Sequence, residues 1–111
     1  MCRALKVLCA AEGRERLAVL KRASVGARWE LVGGALSVEE LARQVVELGP
    51  DIVIIEAGLG PEAVACVRGA RRTARLVGLG PLPGVDLEVQ DVDQVRHAIL
   101  GLPSPGGPVT T

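Results

Sequence analysis

The sequence predicts a three-layer α/β domain: a mainly parallel five-stranded sheet in the order 2-1-3-4-5, with helices on both faces. Three observations predict it. Short apolar runs alternate along the chain with amphipathic stretches of helical period, and parallel strands need crossovers, so helices on both faces of one sheet are the compact solution. Residues 51–55, Asp-Ile-Val-Ile-Ile, place four β-branched residues in succession, the pattern of a central strand covered on both sides. The chain has 111 residues, 49% of them hydrophobic and 23% charged, which suits one soluble domain with a single core.

Residues 5–11, Leu-Lys-Val-Leu-Cys-Ala-Ala, form the first strand, and their weak alternation again suits a strand buried on both faces. A helix over 13–23 turns Leu17, Leu20 and Val19 inward, and strand character resumes at 29–33. Ser37 followed by Glu40 is a capping box for a helix over 38–48, whose stripe is Val38, Leu41, Val45 and Leu48. Gly49-Pro50 stops it. After the strand at 51–55, Pro61 opens a helix that runs to about Arg72, because a missing amide is harmless at the first helical position. Residues 75–79 are a fourth strand and 86–90 a weaker fifth; only six residues separate them, too few for a crossover helix. The direction and pairing of the fifth strand stay open. Asp91, with Gln94 three positions on, caps a last helix ending near Gly101. The α/β domain therefore spans residues 1–102, and the Pro/Gly-rich tail 103–111 is expected to be disordered.

Composition excludes several functions. One Trp and no Tyr or Phe leave no stacking platform for single-stranded nucleic acid. Thirteen basic residues balance thirteen acidic ones, whereas a polyanion binder should be basic. No apolar run reaches the roughly 18 residues of a membrane span. Cys2, Cys9 and Cys66 give neither a disulfide framework nor paired metal spacing, so a reduced cytoplasmic domain without cofactor or metal is expected.

The stretch from Trp29 to Leu59 looks like the second strand, second helix and third strand of a response-regulator receiver domain. With residues 5–23 before it and 74–79 after it, the resemblance covers about residues 5–100 and rests on element order, spacing and the phrase Gly-Pro-Asp-Ile-Val-Ile-Ile. It implies a flavodoxin-like sheet with a phosphoacceptor aspartate ending the third strand. It also implies an acidic pair for a divalent cation after the first strand, a Ser or Thr after the fourth and a Lys after the fifth. In this sequence the phosphoacceptor position is Glu56, the acidic pair is reduced to Ala11 and Glu12, Leu79-Gly80 carries no hydroxyl, and no lysine follows Lys21. The resemblance is therefore to a degenerate receiver, a pseudo-receiver that also lacks the fourth crossover helix. Glu56 reads as a solvated carboxylate at a strand end, or as a lasting imitation of the phosphorylated state.

Other candidates are weighed against plainer readings. Arg68, Arg71, Arg72 and Arg75 form the strongest charge feature; spacings of three and four put most of them on one helical side, where they suit the negative end of the helix, or else an acidic partner surface or an anion. Trp29 either anchors an interface or closes one end of the core. Cys9 is similar in place to the phosphocysteine of sugar-transport IIB domains, but Glu12 and Glu15 would repel a phosphate, and a buried small hydrophobe is the simpler reading. His97 stands alone and reads as a surface residue. Glycines near strand ends, among them Gly33, Gly34, Gly58 and Gly80, line the edge where doubly wound sheets bind ligands, yet no GxGxxG or P-loop pattern accompanies them.

The expected function is a non-enzymatic module that binds a protein partner, most simply a second copy in a homodimer. Without a crossover helix, Leu79, Leu82 and Leu87 around the last two strands are expected to be left uncovered and to form that interface. The alternatives are a small-ligand sensor, for a nucleotide or phosphate, at the C-terminal edge of the sheet, and an eroded phosphotransfer protein.

Overall fold

The structure, a computed structural model, describes residues 5–26 and 28–101; the expectations for Cys2 and for the tail 103–111 fall outside them. Five strands, β1 (Leu5–Ala10), β2 (Trp29–Ala35), β3 (Ile52–Glu56), β4 (Arg75–Leu79) and β5 (Leu87–Val89), form one sheet in the order β2-β1-β3-β4-β5. Every neighbouring pair is parallel. Among the described residues four helices accompany them: α1 (Arg14–Ala23), α2 (Val38–Leu48), α3 (Pro61–Ala70) and α4 (Val95–Gly101). Single 3-10 turns at Ala57–Leu59 and Val92–Gln94 lead into α3 and α4.

Strand alternation divides the core into two layers. Val7, Cys9, Ile54 and Val77 face α1 and α4, where Leu17, Leu20, Val95 and Ile99 cover them. Leu8, Val53, Ile55 and Leu76 face the other way, onto Leu41 and Val45 of α2 and Val64 and Val67 of α3. β3 is buried from Ile52 to Ile55, as its continuous β-branched run requires of a central strand. In β2, Val32 is an extra residue between the pairs Val7–Leu31 and Leu8–Gly33, a bulge on the edge strand.

The helix ends follow local chemistry. Ser37 Oγ accepts from the Glu40 amide at 3.2 Å, while the Glu40 carboxylate accepts from Leu36 N–H at 2.8 Å, one residue earlier than a capping box places it. Gly49, with φ of 58°, ends α2 in the left-handed conformation that glycine adopts freely. Asp91 and Gln94 make the reciprocal cap expected of them, over the 3-10 turn that becomes α4.

The fifth strand runs parallel to β4, and a bare seven-residue connection, 80–86, brings it there. A parallel crossover usually needs a dozen residues or more. This one manages with fewer because it lies flat over the α2–α3 side of the sheet. Leu82 drops into that layer and is 2% exposed, and Val85 packs beside it. Gly78 makes the room: a Cβ there would stand 3.1 Å from Val85 Cγ2 and 3.3 Å from Leu82 Cβ. Asp86 then binds Leu76 twice, donating its N–H to the Leu76 carbonyl at 2.9 Å and accepting the Leu76 N–H on its carboxylate at 2.8 Å.

This arrangement corrects the expectation of an uncovered apolar region around β4 and β5. Val77, Leu82 and Val89 are all buried, Leu79 packs partly buried against the α1–α4 layer, and only Leu87 is left outside, at 38% exposure. The connection itself supplies the cover that a crossover helix would have supplied.

Candidate functional site

Because all five strands are parallel, their C-terminal ends share one edge. β1 delivers Ala11 and Glu12 there, β3 delivers Glu56, β4 ends at Leu79-Gly80 and β5 at Val89-Gln90. Ala11 is buried, its N–H bonded to the Ala35 carbonyl at 3.0 Å, so the chain turns outward only at Glu12. Glu12 and Glu56 converge on Gly58, in the 3-10 turn. A Cβ on Gly58 would lie 3.2 Å from Glu56 Oε1 and 3.4 Å from Glu12 Oε1. Arg16, one turn into α1, approaches the same carboxylate, with Nη1 3.4 Å from Glu56 Oε1. The Glu56 side chain is only 14% exposed and that of Arg16 67%, so the guanidinium lies over the carboxylate from the solvent side.

What this edge can do follows from the groups on it. Two carboxylates and one guanidinium form a mixed cluster with one carboxylate charge in excess. Among the described residues no group of three or more His, Cys, Asp or Glu side chains is placed to hold a metal ion. Gly80 has no side chain, and the Gln90 amide donates to Glu88 at 2.8 Å. The glycines at the other strand ends are not an open crevice. A Cβ on Gly33 would meet Gln44 Oε1 at 2.6 Å, and one on Gly34 would meet Leu17 at 3.1 Å. Open space lies instead on the α1–α4 flank, where a cavity of about 240 Å³ is lined by Val19, Leu79 and Val92 together with Glu15, Arg16 and Glu56.

Several residues singled out by the sequence have structural tasks. Trp29 is 7% exposed; its indole N–H donates to the Ser24 carbonyl and its ring lies over Gly26, so it closes one end of the core. Ser24 is a buried hub at the end of α1: its hydroxyl donates to the Leu20 carbonyl at 2.6 Å and accepts from Cys9 Sγ at 3.3 Å. Burial pushes the Cys9 thiol up to about 11, against a partial opposing pull from the Ser24 hydrogen bond, so Cys9 is a protonated core residue. Cys66 is half-buried on α3 and His97 exposed on α4.

The four arginines do not share one helical side, because α3 ends at Ala70 rather than near Arg72. Arg68 reaches over the β4–β5 connection to the Gly84 carbonyl at 3.0 Å and Asp86 at 3.2 Å. Arg71 turns back to the Pro50 carbonyl at 2.7 Å and to the buried Asp51 at 3.8 Å. Arg72 is exposed in the turn after the helix, and Arg75 opens β4, its N–H donating to the Asp51 carbonyl at 2.9 Å. Sequence reasoning missed the two aspartates behind this dispersal. Asp51 ties β1 to the α3–β4 turn, accepting Lys6 N–H at 2.9 Å, and Asp86 holds β4. An aspartate next to a strand was the only sign of either, and it does not name a partner 45 residues away in the chain.

No protein-family model matches the sequence, and no curated protein matches it either. Solved structures do resemble it in shape. The response regulator domain of Thermotoga maritima CheB superposes with a TM-score of 0.70 at 18% identity, over 88% of this chain and 92% of that one. The signal receiver domain of NarL from Mycobacterium tuberculosis gives 0.71 at 15% identity, over 89% and 95%. With the strand order and the layering of the helices, these likenesses show that the chain has the flavodoxin-like receiver fold.

Proposed function

We propose that this chain is a pseudo-receiver: a non-catalytic receiver-fold module that acts by binding protein, including a second copy of itself, and not by accepting a phosphoryl group. One observation carries the reading. Where an acceptor aspartate would stand, the chain has Glu56, and its carboxylate is already engaged by Arg16 at 3.4 Å. Glutamate is one methylene longer than aspartate, and a displacement of about 1 Å at a reacting centre can lower a rate about 100-fold. Transfer would also need a divalent cation on oxygen ligands and compensation of the developing charge. Glu12 and Glu56 are the carboxylates that come nearest to Gly58 among the described residues, and no lysine follows Lys21. With chemistry removed, what is left of the fold is its surface. The reduced thiols Cys9 and Cys66 suit a reducing compartment, so the reading places the module in the cytoplasm.

Acetyl phosphate with Mg²⁺ should therefore leave the intact mass of the protein unchanged. A stoichiometric gain of one phosphoryl group that disappears in Glu56→Ala would overturn the reading in favour of an eroded phosphotransfer protein. The cavity of about 240 Å³ beside Glu56 and Arg16 favours a second reading, a small-ligand sensor at this edge. A thermal shift on adding nucleotides or inorganic phosphate, lost in Arg16→Ala, would select it.

A further inference from the structure

The cavity of about 240 Å³ beside Glu56 is built by four elements. α1 supplies Glu15, Arg16 and Val19, the ends of β3 and β4 supply Glu56 and Leu79, and the 3-10 turn before α4 supplies Val92. The three aliphatic side chains make an apolar wall, and Val19 keeps 47% of its surface open to water. The polar part of the lining carries two carboxylates to one guanidinium. A third carboxylate, Glu12, comes close to Gly58 together with Glu56. A pocket of this build holds a small molecule by shape on its apolar side and by a few convergent polar groups on the other.

The lining decides the sign of the ligand. A phosphate or nucleotide would add negative charge to a site that already holds carboxylate in excess, and the one guanidinium is engaged by Glu56 at 3.4 Å. A cation meets the opposite balance. The Glu56 side chain is only 14% exposed, and a charge partly withdrawn from water attracts an opposite charge more strongly than one in bulk solvent. The chain does not bring an ammonium of its own to this place. Its two lysines are Lys6, near the start of β1, and Lys21, in the last turn of α1, and neither lines the cavity. The apolar wall then calls for an alkyl chain on the cation. At about 30 Å³ per heavy atom, the share of a water in the liquid, the cavity takes about eight heavy atoms.

We propose that this cavity binds a small aliphatic ammonium ion, a protonated primary amine on a chain of about four to six carbons. The ammonium sits on the Glu56 carboxylate, Glu15 adds to the negative field, and the chain lies along Val19, Leu79 and Val92. The proposal rests on the small-ligand reading of this edge and gives the ligand a sign opposite to that of phosphate. Arg16 is then a resident competitor. It is 67% exposed and covers Glu56 from the solvent side, so the incoming ammonium takes its place and the guanidinium moves out into water.

Titration of the full chain with pentylammonium chloride, followed by backbone amide chemical shifts, tests it. Ammonium chloride and sodium pentanoate at equal ionic strength are the controls. Pentylammonium should move the amides of Val19, Glu56, Leu79 and Val92 to saturation, and neither control should move them. From propylammonium to pentylammonium the affinity should rise about fourfold per methylene, as burial of the chain on the apolar wall requires. Glu56→Gln should weaken binding about tenfold or more, and Glu15→Gln, on an exposed side chain, by less. Arg16→Ala should tighten it, because the competitor is gone. Ammonium binding as well as pentylammonium, Glu56→Gln binding as tightly as wild type, or Arg16→Ala abolishing binding each overturns the proposal. Glu15→Gln and Arg16→Ala alter exposed side chains, so they decide the matter if Glu56→Gln disturbs the fold. If inorganic phosphate binds here and Arg16→Ala abolishes it, the small-ligand reading stands and this one fails. If no probe of either sign moves these amides, both fail.

Discussion

Arg68 shows how much of this fold rests on single polar side chains. Its guanidinium binds the Ala74 and Gly84 carbonyls and the Asp86 carboxylate, so α3 holds down the connection that leads to β5. Arg68→Ala should cost about 1–2 kcal/mol, at the modest end because the ion pair is part-exposed. Asp86→Ala should cost about 1–3 kcal/mol, since it leaves the Leu76 N–H without its acceptor. Asp86→Asn should cost less than Asp86→Ala, because an amide oxygen still accepts that N–H. Urea denaturation followed by Trp29, a buried sole tryptophan, ranks the three. Cys9 makes a pH prediction. The folded protein holds its proton up to about 11, whereas a thiol in the unfolded chain ionises near 9.0. Stability from this group is whole below about pH 9 and is lost as pH rises towards 11, a fall of about 2–3 kcal/mol. Wild type should lose more stability between pH 8 and 11 than Cys9→Ala, measured by urea midpoints at each pH.

At the scale of elements, the β4–β5 connection is the departure that shapes the rest. A receiver-like sheet can lose a crossover helix only if something else covers the α3 side of β4 and satisfies the backbone there. Leu82 and Val85 provide the cover, and Asp86 provides an acceptor for the edge of β4 before β5 begins. Gly78 is the condition for both, because the connection passes against β4 where a side chain would stand. Gly78→Ala asks its neighbours to give by a few tenths of an ångström and should be tolerated. Gly78→Val should cost about 1–3 kcal/mol by overpacking, and its damage should appear in Leu82, Val85 and β5 before it appears in β1 and β3. Comparing urea midpoints of the two variants with wild type checks the order.

At the scale of the molecule, the sheet is deep at its centre and thin at one edge. β3 is flanked by β1 and β4 and covered on both faces, whereas β5 has three residues and one neighbour. Native-state amide exchange should therefore find the slowest amides in β1 and β3, opening only with global unfolding, and faster sub-global opening in 80–89. Uniform protection across the sheet would contradict this account of the connection. The chemistry follows the same plan. A parallel sheet gathers strand ends at one edge, so Glu12, Glu56 and Arg16 meet although they come from three elements. On this sequence that gathering pairs Arg16 with Glu56 and leaves Glu12 beside them, and open space lies on the α1 flank.

The sequence by itself determined the parallel sheet, its strand order, the central place of β3, and the caps at Ser37, Pro61 and Gly49. These depend on local patterns: runs of β-branched residues, a 3.6-residue stripe, and residues whose backbone preferences stop or start a helix. It also determined which groups are missing from the strand ends themselves, since no lysine follows Lys21 and Leu79-Gly80 carries no hydroxyl. Only the tertiary structure decided the direction of β5, the burial of Leu82 and Trp29, and the separation of Arg68, on Gly84 and Asp86, from Arg71, on Pro50 and Asp51. The same holds for Arg16 meeting Glu56, 40 residues on. Periodicity records which face of an element is buried, but not which distant side chain lies against it. An arginine has the same helical phase whether it faces water, an acidic partner or a carbonyl of its own chain, and only packing distinguishes them.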